Sequence, residues 1–482
     1  MRPAALVSLS ALLLVSGALL LSMNGCSDGT SSSVASFDRP SISIIPHRIQ
    51  HVVIIFQENR TPDNLFHDQT LIGRGADIVS TGLNSRGDIV PLQPLPLGQR
   101  FDLSHMHSAF VKIYDDGKMD GADKVPVVCP QGHPNCARPP HPQFAYVNPS
   151  DVQPYFDLAE QYTFADRMFQ TNEGPSFPAH QFILSGTSAP SSTSNWFEAE
   201  NPASQWASNS GCTAPPAVRV AMINRHGHER ALMYPCFEHS TLTDLLDAKQ
   251  LSWHYYAPSA GSIWTAPNAI RHVCGPNAAP PDATRCTAAD WTDNVVLYTS
   301  DNPAPVLVDI AKGALPAVSW VIPAAQNSDH SGDMDNVDGP SWVAAVVNAI
   351  GNSSYWHNTA IFITWDDWGG WYDHVPPPQV ITDGTSWGSG YVYGFRVPLI
   401  VVSPYAKTNY ISHVTHDFGS ILHFIEHTFD LPSLGYADAR ADDLSDCFDF
   451  SQQPLVFQPI AARKNADHFL HDHRPAGDPD DD

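Results

Sequence analysis

Two short stretches far apart in the chain concentrate hard oxygen donors: Gln57-Glu58-Asn59-Arg60 and Trp365-Asp366-Asp367-Trp368-Gly369-Gly370. The side-chain oxygens of Glu58, Asn59, Asp366 and Asp367 suit a divalent cation such as Ca²⁺, Mg²⁺ or Mn²⁺; adding His105 or His330 admits zinc or iron. Adjacent residues of a strand point to opposite faces, so Asp366 and Asp367 can meet at one ion only where the strand is ending and the chain turns. Gly369 and Gly370 permit that turn. The same alternation argues against the opposed carboxylate pair of a glycosidase. Taken singly, a strand-end Asp that caps a turn is the plainer reading.

A nucleophile candidate lies in TNEGPSFPAHQFILSG. Gly174-Pro175 forces a turn, and Ser176 then opens a helix over FPAHQFILS, where its hydroxyl stands beside backbone N–H groups suited to a phosphate. A simple helix cap is the competing reading of Ser176. No GxSxG motif surrounds it, so the elbow of an α/β-hydrolase is not indicated. In FDLSHMHSAFVKIYDDGKMDG, His105 and His107 are two apart, too close to share one helical face, so one of them is a packing or surface histidine.

These groups need strands to deliver them. Four apolar runs read as buried strands: Val52–Phe56, Ala317–Ile322, Ala360–Thr364 and Pro398–Val402. They are continuously apolar rather than alternating, the mark of a parallel sheet covered on both faces. Three of them lead to ligand-type residues, Glu58-Asn59, Asp366-Asp367 and, through PAAQNS, Asp329-His330, beyond the carboxyl ends where such sheets bind ligands. Helices are expected after a Ser150/Gln153 capping box, over Pro340–Ile350, and over Ser420–Phe429. The alternation defines an α/β chain. Residues 187–302 break the rhythm, carry four cysteines and read as an insertion or cap.

With 25 Lys+Arg against 50 Asp+Glu, the net charge of −25 excludes a nucleic-acid binder, which needs clustered cations. Residues 1–25 read as a signal peptide, with Arg2 followed by an apolar run to Leu21. Gly25-Cys26 resembles a lipoprotein cleavage box, leaving two outcomes: ordinary cleavage, or a membrane tether through lipidated Cys26. Export follows either way, to the periplasm, the medium or the outer membrane. Residues 26–48 read as a linker and 461–482 as an acidic tail. The neighbouring cysteines Cys129/Cys136, Cys212/Cys236 and Cys274/Cys286 suit three disulfides, with Cys447 left over.

Together the segments HVVIIFQENRTPDNLF, DLSH, GKMDG, GPSFPAHQF, SDH, TWDDWGGWYDHVPPP and GFRVPLIVVSPYAK resemble the bacterial phosphoesterase family of phosphatidylcholine-type phospholipases C and acid phosphatases, related to the alkaline phosphatase superfamily. The resemblance implies one domain over residues 49–460, a three-layer α/β/α sandwich around a largely parallel sheet. It implies a divalent metal (Ca, Mn, Zn or Fe) on Glu58, Asn59, Asp366 and Asp367, with Ser176 as nucleophile. His105 and His330 would contact the phosphoryl group or protonate the leaving oxygen, and His180 with Asn59 would bind substrate. A phosphomonoester or a phospholipid is the implied substrate; a sulfatase-like or phosphodiesterase specificity and a silent surface-binding lipoprotein are the alternatives. Three departures bear on substrate choice: Ala179 where relatives carry Asn, Trp368 where they carry His or Asn, and Phe418 where they carry His.

Overall fold

The computed structural model describes residues 48–130, 135–203, 210–225, 227–378 and 393–477. The expected signal peptide, Cys26 and nearly all of the expected linker lie outside them.

Eight strands form the central sheet: β1 (His51–Gln57), β2 (Thr163–Ala165), β3 (Trp253–Ala257), β4 (Val295–Leu297), β5 (Val318–Val321), β6 (Thr359–Trp365), β7 (Leu399–Val402) and β8 (Tyr410–Ser412). Their order is β4-β3-β5-β1-β6-β7-β2-β8. Every pairing is parallel except those of β7, which runs against both β6 and β2. The sheet is thus largely parallel, as expected.

Register shows why the strands are apolar throughout. Ile54, Trp320 and Phe362 stand side by side on one face. There Trp320 donates its indole N–H to the Ile183 carbonyl of a helix, and Phe362 packs edge-on against Phe424 of another. Gln57 and Trp365 share the opposite face, where Trp365 meets Tyr155. Five helices matter: α1 (His107–Tyr114), α2 (Gln153–Gln161), α3 (Ser176–Ser185), α4 (Gly339–Gly351) and α5 (Phe418–Phe429). α3 and α5 cover the first face and α2 the second, with α4 packed beside α2. The result is a three-layer α/β/α sandwich, and Val52–Phe56 are wholly buried.

Several expectations change. Residues 187–302 are not simply a cap: they contribute β3, hidden by its mixed aromatic and polar composition, and β4, hidden by its length of three residues. The segment read as a solvated tail packs down through residue 477. Phe469 is buried against Trp342, and Arg474 pairs with Asp338 at 3.0 Å. The Ser150/Gln153 box does not form, because Val152 occupies the cap position and Gln153 donates to Asp157 instead. A box does form at α5 between Asp417 and Ser420. The three disulfides pair as expected, and Cys447 is free and buried.

The end of the aromatic acidic block is structural. Asp373 and His374 turn away from Asp366, and Arg396 grips Asp373 through both carboxylate oxygens at 2.9 and 3.0 Å. Arg396 also donates to the carbonyls of Asp77 and Asp166 and lies 3.5 Å from Asp63, all without solvent exposure. Arg396→Met would leave Asp63 and Asp373 buried without their cation. It is expected to cost ~3–5 kcal/mol, measured as a lower urea midpoint.

Candidate active site

β1 and β6 run parallel in register through the pair Gln57 and Trp365, and Asp366 still donates its N–H to the Gln57 carbonyl. Glu58 and Asp366 therefore leave the sheet side by side. Past Trp365 the strand has ended, and Asp367 is free to swing to the same side. Its Oδ1 accepts from the Gly369 N–H at 2.7 Å, while Asp366 Oδ1 accepts from the Asp367 N–H at 2.7 Å. The turn needs both glycines. Gly369 and Gly370 have φ of 63° and 70°, and a Cβ would lie 2.4 Å from the Asn59 carbonyl and 2.5 Å from Leu103 Cβ respectively.

Asn59 takes a left-handed backbone (φ 55°), a conformation that Asn tolerates better than most residues. Its amide donates to Asp366 Oδ1 at 2.8 Å and Glu58 Oε2 at 2.7 Å. Its oxygen faces Nε2 of both His105 and His330 at 3.2 Å. Each histidine uses Nδ1 on a backbone carbonyl, His105 on Leu103 at 2.9 Å and His330 on Ser331 at 2.5 Å. A carbonyl can only accept, so each Nδ1 carries a proton and each Nε2 is turned inward.

Ser176 opens α3 with its hydroxyl 3.3 Å from Glu58 Oε2 and 3.3 Å from Asp367 Oδ2, so it touches both halves of the acidic site. The helix start is less open to an anion than expected. The Phe177 N–H is committed to Asn201 Oδ1 at 2.9 Å, and Pro178 has none. The inward Nε2 atoms of His105 and His330 are better placed to face a phosphoryl group.

His180 lies one turn along α3 and joins the carboxylates, with Nε2 3.3 Å from Glu58 Oε1 and 3.9 Å from Asp366 Oδ2. Its Nδ1 is 3.3 Å from the Tyr255 hydroxyl, which spends its own proton on the Trp264 carbonyl at 2.8 Å. Burial lowers the His180 pKa to about 3, which keeps the ring neutral, with Nε2 hydrogen-bonded to Glu58 Oε1. Burial also raises the Asp366 carboxyl, and its Oδ2 is a buried oxygen without a hydrogen bond. Glu58, His180 and Asp366 thus form a group whose ligand atoms lie within 4.8 Å of one another. All eight residues expected at the site, His180 included, are buried.

The remaining motif residues position these. Arg60 faces away from the acids: it donates to the Asp329 carbonyl through Nε and Nη2 and lies over the Trp371 ring. Gln57 donates to the Asn327 carbonyl. Asp329 accepts from Tyr155 and from the Trp365 indole, and burial raises its pKa to about 6 despite Arg60. Trp368 is fully buried, edge-on to His105 and packed on Phe395. Sequence reasoning missed the Tyr255–His180 contact and Asn201, because neither lies in a motif. It also passed over the acid cluster around His107, whose Nδ1 is 2.6 Å from Glu229 and Nε2 3.4 Å from Glu173, with Glu200 on its N–H. The run of Glu198, Glu200 and Glu173 near Ser176 was the available signal.

A strand-end cluster of carboxylates, two inward histidines and a serine at a helix start is chemistry for a phosphoryl group. The Phosphoesterase family model matches residues 49–432, and the chain belongs to this family. It is a hydrolase acting on phosphoester bonds. Phospholipase C B of Mycobacterium tuberculosis is 24% identical over 466 residues, spanning 87% of this chain and 80% of its own. Non-hemolytic phospholipase C of Pseudomonas aeruginosa is 22% identical, spanning 90% of this chain and 63% of its own. Among solved structures, a protein in the alkaline phosphatase superfamily from Vibrio parahaemolyticus covers 82% of this chain and 71% of its own, at 10% identity and a TM-score of 0.34.

Gly370→Ala combines a left-handed φ with a clash on Leu103; it is expected to destabilise by ~1–3 kcal/mol and to lower turnover, read by denaturation and assay. Burial opposes charge on His107, but hydrogen bonds to Glu173 and Glu229 outweigh it and raise the pKa from 6.5 to about 9. The folded state therefore holds that proton more tightly than the unfolded chain. Its contribution is complete below pH 6.5 and is lost as pH rises through about 9. Melting temperature in the wild type should fall across that window, and His107→Gln should flatten the fall.

Proposed function

We propose that the protein is an exported, metal-dependent phosphoric ester hydrolase that works through a phosphoseryl intermediate on Ser176. The observation that carries this reading is the Ser176 hydroxyl, equidistant from Glu58 and Asp367. The donor set fits a divalent cation: the buried Asp366 Oδ2 has no hydrogen bond, and His180 Nε2 faces Glu58 and Asp366. Glu58, Asn59, Asp366 and Asp367 would hold the ion, with His180 beside them as a ligand rather than as a substrate contact. When bound, the ion offsets phosphate charge and eases loss of the serine proton.

The chain's own groups do the rest. Ser176 gives its proton to an adjacent carboxylate, and its Oγ forms a bond to phosphorus as the ester P–O bond breaks. His105 or His330, each with Nε2 turned inward, donates a proton to the departing alkoxide. Water then attacks the phosphoserine, regenerating the hydroxyl and releasing phosphate from a monoester or a phosphorylated headgroup from a diester. Burial of every participating side chain strengthens these charge interactions.

The relatives called phospholipase C favour a phospholipid diester over a phosphomonoester. The three disulfides support export.

The deciding assay offers the purified full chain a phosphomonoester and a phosphocholine diester. Ser176→Ala should lower kcat/KM on the preferred substrate by ~10³-fold or more; undiminished turnover would overturn the covalent mechanism. Prolonged chelation should abolish turnover of the wild type, and one added divalent ion should restore it. Activity that survives complete removal of metal, checked by elemental analysis, would refute metal dependence.

A further inference from the structure

Cys447 is the cysteine left over once three disulfides have formed, and it is not isolated. It ends a short helical turn, Ser445–Cys447, that lies against β8. Cys447 Sγ is 3.5 Å from Asp446 Oδ1, and His416 Nε2 is also 3.5 Å from that oxygen. The three ligand atoms lie within 4.8 Å of one another. His416 is 1% exposed and Cys447 fully buried.

These distances can be compared with a coordination shell. Zinc binds nitrogen, oxygen and sulfur at ~2.0–2.3 Å, so the edges of its tetrahedron span roughly 3.3–3.8 Å. Both measured separations fall within those edges. The far nitrogen of the histidine, Nδ1, lies 3.0 Å from Asp442 Oδ1, so the ring stands between two carboxylates with Nε2 toward Asp446. Ser412 completes the surroundings: its hydroxyl lies 3.2 Å from His416 Nε2 and donates to Asp446 Oδ2, the oxygen that does not face the sulfur. Asp446 keeps 21% of its side-chain surface, which leaves the fourth position open to a water. One thiolate, one imidazole and one carboxylate suit zinc over calcium or magnesium, which avoid sulfur.

We propose that His416, Asp446 and Cys447 form a zinc site separate from the catalytic cluster, with Asp442 positioning His416. Binding replaces the thiol proton, which is released to solvent. The ion would tie three parts together: the edge strand β8 through Ser412, the residue before the Asp417 cap of α5, and the loop 442–447. Because α5 packs on α3, the site would brace the layer that carries Ser176 without touching substrate. It would also account for an unpaired thiol in a chain whose other described cysteines are all bridged.

The test does not depend on the catalytic reading, because among the described residues only this cluster offers a free thiol, and Cys26→Ser controls for the cysteine outside them. Full-length protein is stripped with a chelator and reloaded with Co²⁺. A thiolate-to-cobalt charge-transfer band in the near ultraviolet is expected in wild type, Asp366→Asn and Cys26→Ser, and is expected to vanish in Cys447→Ser. Zinc content by elemental analysis should fall by about one equivalent per chain in Cys447→Ser and in His416→Gln. His416→Gln keeps the thiol and guards against a folding defect in the cysteine variant. A wild type that is folded by circular dichroism yet shows no thiolate band would overturn the site. Equal zinc content in wild type and both variants would do the same, leaving His416, Asp446 and Cys447 as packed side chains with no ion among them.

Discussion

The site depends on one backbone constraint: β1 and β6 are parallel neighbours in register, and the ladder persists until Asp366 donates to Gln57. Parallel neighbours end at the same edge of a sheet, so residues just past their carboxyl ends emerge together however far apart they lie in the chain. That is how Glu58 and Asp366 come to share one small volume. β5, on the other side of β1, sends its loop to the same edge and delivers His330. The central position of β1 therefore matters as much as the residues it carries.

Gathering carboxylates in a buried place is unfavourable unless each oxygen is engaged. The chain meets most of this with backbone N–H groups from Asp367 and Gly369, the serine hydroxyl and the Asn59 amide, and leaves Asp366 Oδ2 without a hydrogen bond. Asn59 links the acidic side to the histidine side, donating to one and accepting from the other. An Asp there would add a charge and lose the donors; a residue without αL tolerance would strain the turn. Arg60 has a different task, since its guanidinium braces the Asp329 carbonyl and makes no contact with the acids. Within four consecutive residues, the chain supplies two loop braces and two site groups.

Much of this was legible in the sequence because it is local. VVIIF is apolar at every position and AIFIT at all but its last, which suits a doubly covered strand, and acids just past their ends stand out against that background. The glycine pair after Asp366-Asp367 announced a turn, and a turn is what both side chains need. The hidden parts are those whose signal is long-range. Thr163–Ala165 and Val295–Leu297 are three residues long and carry no periodicity. Trp253–Ala257 mixes a histidine and two tyrosines into a strand, and its stretch reads as a cap. Nothing in the segment of His180 reveals Tyr255 behind it. The first turn of α3 looked open because Asn201, which occupies the Phe177 amide, comes from a loop 24 residues later. Phe469 was lost among acidic neighbours although it packs on Trp342.

The hydrogen bonds from Gln57 and Arg60 to the loop after β5 carry a further implication for how such a chain can diversify. Most connections at the edge of an α/β sheet can gain or lose residues, because their only obligation is to reach the next element. The connection over residues 323–330 is held at Asn327 and again at Asp329 by side chains rooted in β1 and its extension. One residue more or fewer would shift His330 out of line with Asn59. In this chain, a change of substrate preference is therefore admitted more readily through the other connections than through this one.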